Sequence, residues 1–357
     1  MLYKEEFLLG KKIISNNRPS YFIADIAANH DGDINRAKDL IYLAAEAGAD
    51  AAKFQHFQAD TIVSDFGFKS LGKQKSHQAK WNKPVSEVYK DASVKLSWTN
   101  ELKKTCDDAN ITFFTTPYSL EVIDHLNDYV PAYKIGSGDI TWKGMIEKIA
   151  KQNKPYLIAT GASSLSEIKR AVDFSLKFNP MLVLMQCNTN YTAELENFKY
   201  IHLNVLKNFQ KLYPGLILGL SDHTPGHATV LGSIAMGARI IEKHFTDSNA
   251  RSGPDHLFSM NPSAWKEMVL RSRELELAMG FENKVVEENE KETVILQRRS
   301  LRATRTLNKD DIIQIKDLMP LRPCPPDALQ PWFIEDVIGK KLKRKINQND
   351  YLKTNDI

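Results

Sequence analysis

His223 and His244 each close a dense apolar run, ILGLSDH and RIIEKH, while Lys53 and Lys134 stand inside two others, AAKFQHF and AYKIGSG. If those runs are neighbouring strands, the two imidazoles can approach one metal from adjacent positions. Imidazole with oxygen ligands and open positions suits a divalent ion such as manganese, zinc or iron. Asp255 and His256 follow shortly afterwards in SGPDH. A closed thiolate site or a disulfide scaffold is not expected, because Cys106, Cys187 and Cys324 are far apart and form no CxxC pair. The two lysines point to anions, since an ammonium group within an apolar strand is costly unless compensated. Its partner is either a carboxylate of the protein, such as Asp25 or Glu242, or one carried by a ligand. Ser137, between Gly136 and Gly138 in KIGSGD, favours a ligand phosphate or carboxylate. His30, in ANHDG, suits catalysis or loop packing equally; His56, His77, His125, His202 and His227 are read as packing or surface residues.

Elements must bring these residues together. Eight short apolar runs recur, beginning near Phe22, Ala51, Ile111, Ala132, Pro155, Leu182, Ile217 and Arg239, and most intervals hold a helix-like segment such as INRAKDLIYLAAEAG or SLSEIKRAVDFSLK. Strand and helix in alternation imply parallel pairing, and eight units without a GxGxxG fingerprint fit a closed (β/α)8 TIM barrel better than an open sheet. In that fold the C-terminal ends of the strands face the active site. Their tips offer Asp25 with Asn29 and His30, Lys53 with Gln55, Thr115 with Thr116, Lys134 with Ser137, and Thr160. The later tips add Thr189 with Tyr191, Ser221 with Asp222 and His223, and Glu242 with Lys243 and His244. The long interval from Ala59 to about Ser97 reads as a lid over one side of the mouth. Ahead of the barrel, FLLGKKIISNNRP resembles a hairpin able to plug its bottom.

The barrel domain is expected over 1–280, a charged linker over 281–297, and a small β-rich module over 298–357. The chain carries 48 basic and 44 acidic side chains, too even a balance for a disordered chain or a nucleic-acid binder. No run approaches a membrane span, and the first twelve residues are too charged for a secretory signal, so the expected compartment is the cytoplasm, with reduced thiols. Residues 298–357 hold 13 basic and 8 acidic side chains, so the surplus belongs to the tail. It reads as a basic cap suited to the mouth of a neighbouring barrel that binds anions.

The ordered run IADIAANHDGDINRAKDLI, AGADAAKFQHF, FFTTPYS, YKIGSGDI, LSDHTPGH, IEKHFT and GPDH resembles the N-acetylneuraminate (sialic acid) synthase family, legionaminate and pseudaminate synthases included, over nearly the whole chain. The tail resembles an antifreeze-type (SAF) domain. The resemblance implies a metal-dependent condensation of phosphoenolpyruvate with an N-acetylmannosamine-like aldehyde sugar, releasing phosphate and forming a nine-carbon 2-keto-3-deoxy acid. It also implies a domain-swapped homodimer in which the small domain of one chain covers the other's barrel. By the same resemblance His223 and His244 match manganese ligands, and Lys53, Lys134, Ser137 and Ser221 match positions that hold phosphoenolpyruvate. Thr116 falls at a ligand position, Tyr191 matches a tyrosine near the sugar, Asp255 an acid that contacts sugar hydroxyls, and Arg322 the arginine sent into the partner's site.

Three departures stand out against the family pattern. Asp25, expected to position the attacking water, replaces a glutamate and is one methylene shorter. Thr189 occupies the place of a sugar-contacting asparagine, and LRPCPPDALQP replaces the glycine-rich run after the arginine. A diacetamido hexose acceptor, giving a legionaminate- or pseudaminate-like product, therefore stays open. A shorter, octulosonate-type synthase is disfavoured by the linker and tail, and a barrel metallohydrolase leaves both lysines without an anion. An ice-surface protein, suggested by the tail alone, has no use for the polar strand tips.

Overall fold

The structure, a computed structural model, describes residues 3–72, 78, 79 and 81–357, so His77 lies outside the described residues. The chain divides into two compact units, Met1–Gly280 and Phe281–Ile357. In the first, β1 (Glu6–Leu9) and β2 (Lys12–Ser15) form an antiparallel hairpin. Eight strands follow: β3 (Tyr21–Asp25), β4 (Ala51–His56), β5 (Thr112–Pro117), β6 (Tyr133–Ile135), β7 (Tyr156–Ala159), β8 (Leu182–Cys187), β9 (Ile217–Asp222) and β10 (Ala238–His244). They pair in parallel and close as a barrel in chain order, with β10 beside β3. All eight apolar runs are strands, and the helix-like intervals become helices over Ile34–Glu46, Leu165–Ser175 and Ala228–Ala235. Local chemistry sets their ends: Asp33 caps the first of these, and Ser164 with Glu167 forms a reciprocal capping box on the second.

Side chains alternate across a strand, so each strand supplies two cores. One residue set, including Phe22, Ala24, Phe54 and Phe113, packs outward against the helices. The other set turns inward: Tyr21, Ile23, Ala51, Phe114, Leu157, Val183, Met185, Ile217 and Ile240 fill the lower barrel. Phe7, Leu9 and Ile14 of the hairpin join that inner cluster, which stops the bottom of the barrel. Packing there leaves no spare room. A Cβ at Gly219 would lie 2.7 Å from the Ile240 carbonyl oxygen and 3.0 Å from Met185 Cγ, so only glycine fits that inward position.

The interval after β4 carries short helices at Ala59–Ile62, Asp65–Ser70 and Val85–Ala92. A long helix, Pro262–Met279, ends the first unit; Asn261 caps it and proline opens it. The second unit has a core of its own, built from Leu301, Ala303, Leu307, Ile313, Val337, Leu342, Ile346 and Leu352 around the antiparallel pair β11 (Ser300–Ala303) and β12 (Leu318–Leu321). Its remaining strand contacts are isolated bridges. Residues 281–297, expected as a charged linker, include a helix, Lys291–Gln297, tied into this unit where the Cys324 N–H donates to the Ile295 carbonyl at 2.8 Å. Among the described residues no helix is long and apolar enough to cross a membrane.

His56 belongs to the outer core. It is fully buried, with Nδ1 2.7 Å from Thr115 Oγ1 and Nε2 3.3 Å from Thr99 Oγ1. Burial, helped by His125 and His30, pushes its pKa down from 6.5 to about 3. The unfolded chain therefore takes up this proton first as pH falls. The contribution of neutral His56 is complete above pH 6.5 and drains away below it, amounting to about 2 kcal/mol by pH 5. Urea midpoints should fall between pH 7 and pH 5, and His56→Gln should flatten that slope. An unchanged slope in the variant would clear His56 of the acid sensitivity.

Candidate active site

The site is reached by counting upward in twos from the inner apolar residues. Ile23 leads to Asp25, Ala51 to Lys53 and Gln55, Phe114 to Thr116, and Ala132 to Lys134. Ile217 leads through Gly219 to Ser221 and His223, and Ile240 to Glu242 and His244. All these polar residues line one cavity of about 320 Å³ at the upper end of the barrel. The opposite parity faces the helices. Thr115, Asp222 and Lys243, expected at the mouth with the other strand tips, lie outside it: Thr115 holds His56, and Lys243 pairs with Asp222, which also accepts from Thr224 and Thr229.

Four charges are locked together on the cavity wall. Lys53 Nζ lies 2.6 Å from Asp25 Oδ2 and 3.8 Å from Glu242 Oε1, and Lys134 Nζ lies 2.7 Å from the same Glu242 oxygen. Gln55 donates to Asp25 at 3.0 Å, and the Ser221 hydroxyl donates to Glu242 at 3.2 Å. Burial alone would raise the Asp25 carboxyl, but Lys53 and then His244 overcome it and hold it below the usual range. Glu242 is lowered against burial by Lys134 and Lys53, and Lys53 is raised against burial by Asp25 and Glu242. One oxygen, Glu242 Oε2, is buried without a hydrogen-bond partner. Asp139, also on the wall, is pushed up to about 6 by burial.

The histidines stand side by side, ring centroids 5.3 Å apart. His223 donates from Nδ1 to the Asn188 carbonyl at 2.8 Å, which leaves Nε2 as its lone-pair nitrogen. Burial, with His244 adding to it, lowers the His223 pKa to about 4, so the ring is neutral near pH 7. His244 has Asp25 3.7 Å from Nε2 and Asp255 3.6 Å from Nδ1, and Nδ1 makes no hydrogen bond. Against the cost of burial, Asp25 and Asp255 raise its pKa. A neutral imidazole oriented by a backbone carbonyl, beside a second one backed by carboxylates, is donor chemistry that fits a divalent ion. Among the described residues no group of three or more histidine, cysteine or carboxylate side chains is poised to hold a metal ion.

Tyr191 packs against His223 with ring centroids 4.3 Å apart and lines the cavity. Ser137 opens a short turn after β6, lines the cavity and accepts from the Gly161 N–H at 3.0 Å. Thr189 is not among the lining residues; its methyl group covers Gly161, where a Cβ would meet it at 2.5 Å. Asp255 lines an adjoining, more aromatic cavity of about 150 Å³ with Phe57, Trp81, Tyr89 and Tyr118. The two cavities share Gln55, Ile62, Tyr89, Tyr118, Tyr191 and His244. Left-handed Ala27 (φ 45°) turns the loop after β3, whose Ala27 and Ala28 N–H groups bond Asp25 and Asp255. His30 is buried against Trp98 and Asn29 bonds the backbone of Phe245; neither lines the inner cavity. Arg322 belongs to the second unit, exposed, with Nε donating to the Gln297 carbonyl at 2.7 Å. Glu242, expected as a strand tip and as a possible lysine partner, is a full member of the cavity wall.

Comparison with known proteins follows the same lines. The NeuB family profile matches residues 40–284. N,N'-diacetyllegionaminic acid synthase of Legionella pneumophila is 33% identical, with 95% of this chain and 94% of that protein covered. The protein of the same name from Campylobacter jejuni is 31% identical over 94% of this chain and 99% of its own length. Among solved structures, N-acetylneuraminic acid (sialic acid) synthetase from Leptospira borgpetersenii, in complex with citrate, superposes with a TM-score of 0.70 at 28% identity, covering 81% of this chain and 95% of that one.

The buried ion pairs set a stability test. Lys53→Met leaves the Asp25 carboxylate in the barrel with Gln55 and one backbone N–H, and should cost about 3–5 kcal/mol in urea unfolding. Adding Asp25→Leu should recover most of that loss, because the stranded charge goes with it. Equal instability of the single and double variants would show that Lys53 acts through packing instead.

Proposed function

Because the chain belongs to the NeuB family and is a phosphoenolpyruvate-condensing synthase of the sialic-acid type, we propose that it joins phosphoenolpyruvate to an N-acetylmannosamine-like aldehyde sugar, giving a nine-carbon 2-keto-3-deoxy acid and phosphate. The observation that carries this reading is the wall on which Lys53, Lys134, Thr116 and Ser221 converge beside two histidines. Ammonium and hydroxyl groups fixed on strands hold the phosphate and carboxylate of phosphoenolpyruvate without reorganising, and Ser137 adds a hydroxyl at the rim. The enol carbon then attacks the aldehyde, forming the new carbon–carbon bond. Asp25, held by Lys53, Gln55 and the Ala27 N–H beside His244, positions the water that adds to the resulting cationic carbon; collapse expels phosphate.

Charge on the wall supports a cation from outside the chain. Two lysines face three carboxyl groups, Asp25, Asp139 and Glu242, so no positive surplus awaits a multiply charged anion. His223 and His244 would hold a manganese ion, which supplies Lewis-acid polarisation of the aldehyde oxygen when bound. Tyr191 and Asp255 belong to the sugar's side, while Thr189, packed over Gly161, lines neither cavity. Arg322, on a C-terminal unit read as an antifreeze-type module, would supply positive charge to the barrel of a second copy in a domain-swapped homodimer.

A second reading replaces the acceptor by a diacetamido hexose, with a legionaminate- or pseudaminate-type product. It is favoured by the names of the two relatives above and by Thr189 where a sugar-contacting asparagine is expected. One assay separates them: phosphoenolpyruvate and Mn2+ with N-acetylmannosamine, a diacetamido hexose and a pentose, read as phosphate release and product mass. Release with the pentose alone would overturn both readings. His223→Ala or His244→Ala should reduce turnover by more than the roughly 100-fold typical of an outer-shell loss while leaving urea stability near wild type. Full turnover by metal-stripped protein under chelator would remove the metal. Arg322→Ala should raise the sugar KM with the barrel still folded, and unchanged kinetics would remove it from the site.

A further inference from the structure

Loop 245–261 carries Asp255 from the end of β10 to the helix Pro262–Met279. It is fastened by contacts that the reaction above does not use. Arg36, in the first turn of the helix Ile34–Glu46, forks onto Asp247, with Nη1 2.9 Å and Nη2 2.7 Å from the two carboxylate oxygens. The same guanidinium reaches the Asn29 carbonyl at 2.7 Å and Asp31 at 3.0 Å through Nε. His256 is completely buried and ties the other end of the loop: Nε2 donates to Asp31 at 2.9 Å, and Nδ1 lies 2.7 Å from Thr246 Oγ1. Packing around it is tight, since a Cβ on Gly253 would lie 2.6 Å from the His256 ring.

We propose that Arg36, Asp31 and His256 are positioning residues that latch this loop to the turn after β3, holding Asp255 at the acceptor's end of the site and against His244. The inference rests on the acceptor reading above. Phosphoenolpyruvate's end of the site is built on strands, from Lys53, Lys134 and Ser221, and owes nothing to this loop. Asp255 instead depends on it, with one oxygen bonded to the Ala28 N–H at 3.2 Å and the same oxygen 3.6 Å from His244. Asp31, Gly32, Gly253 and Pro254, all on the two latched loops, also line an outer cavity of about 620 Å³. That cavity shares Trp81, Val88 and Pro254 with the aromatic one beside Asp255. Freeing the latch therefore loosens the acceptor's path and leaves the anion's wall in place. A bidentate Arg–carboxylate fork fixes orientation as well as distance, which one surface lysine pair would not do.

Arg36→Met and His256→Leu remove the latch; Arg36→Lys and His256→Gln keep part of it. Arg251→Ala is the control, an exposed arginine that also bonds Asp247. Full-length protein with Mn2+ is assayed by phosphate release with N-acetylmannosamine and with a diacetamido hexose, and metal-free protein by hydrogen–deuterium exchange. The latch-removing variants should raise the acceptor KM about ten-fold or more, keep the phosphoenolpyruvate KM within about two-fold, and speed exchange over residues 246–260 alone. The Lys and Gln variants should show both effects at intermediate size, and the control should show neither. Unchanged exchange, or acceptor and phosphoenolpyruvate constants rising together, would overturn the proposal. If wild type turns over neither sugar, the acceptor reading falls; exchange alone then decides the latch, with faster exchange supporting it and unchanged exchange rejecting it. Should the Met and Leu variants fail to fold, the Lys and Gln variants carry the same comparison at intermediate size.

Discussion

Lys53 and Lys134 leave strands whose lower inward neighbours are alanines, so their ammonium groups emerge inside the barrel and away from bulk water. Each must be answered by a carboxylate within reach. Asp25 answers the first from the adjacent strand, where it is registered directly opposite Lys53. Glu242 answers the second from β10 and stands close to the first as well, so one carboxylate spans the barrel's axis between β4, β6 and β10. Closure of the barrel and balance of its charges are one condition: a strand slipped by a single residue would send a lysine into the helix layer and a phenylalanine into the site.

That constraint explains why the two ends of the site differ in build. The charged wall is made of strand residues whose directions are fixed by sheet register. The other end is made of loops and the short helix Val85–Ala92, with aromatic surfaces from Phe57, Tyr89, Tyr118 and Tyr191 and a single carboxylate, Asp255. A rigid wall suits an anion common to the whole reaction class, while loop-built walls can change with the second substrate without disturbing the barrel.

Much of this was legible from the residue order. Dense runs ending in polar residues gave all eight strands, because fully buried parallel strands have no other sequence signature. The hairpin ahead of the barrel was equally plain. Parity was the missing information: Thr115, Asp222 and Lys243 look like site residues in a string of strand tips, and only the two-residue alternation counted from Ile23, Phe114 or Ile240 assigns them to the helix side. Glu242 is legible as a strand tip and as one possible lysine partner, but which lysine it meets is decided by a contact with Lys134, 108 residues away. Contacts such as Arg36 to Asp247 are likewise invisible in the sequence, because both residues sit in ordinary loop and helix positions and meet only after the barrel closes.

The hairpin at the foot of the barrel gives the molecule a direction of traffic. With Phe7, Leu9 and Ile14 filling the lower interior, the inner chamber is a cul-de-sac. Lys53 and Lys134 line only this inner chamber, Asp255 lines only the adjoining one, and Tyr191 lines both. If phosphoenolpyruvate rests on the lysines as proposed, arrivals must queue: the deeper occupant goes in ahead of the shallower one, and an acceptor that enters early bars the way.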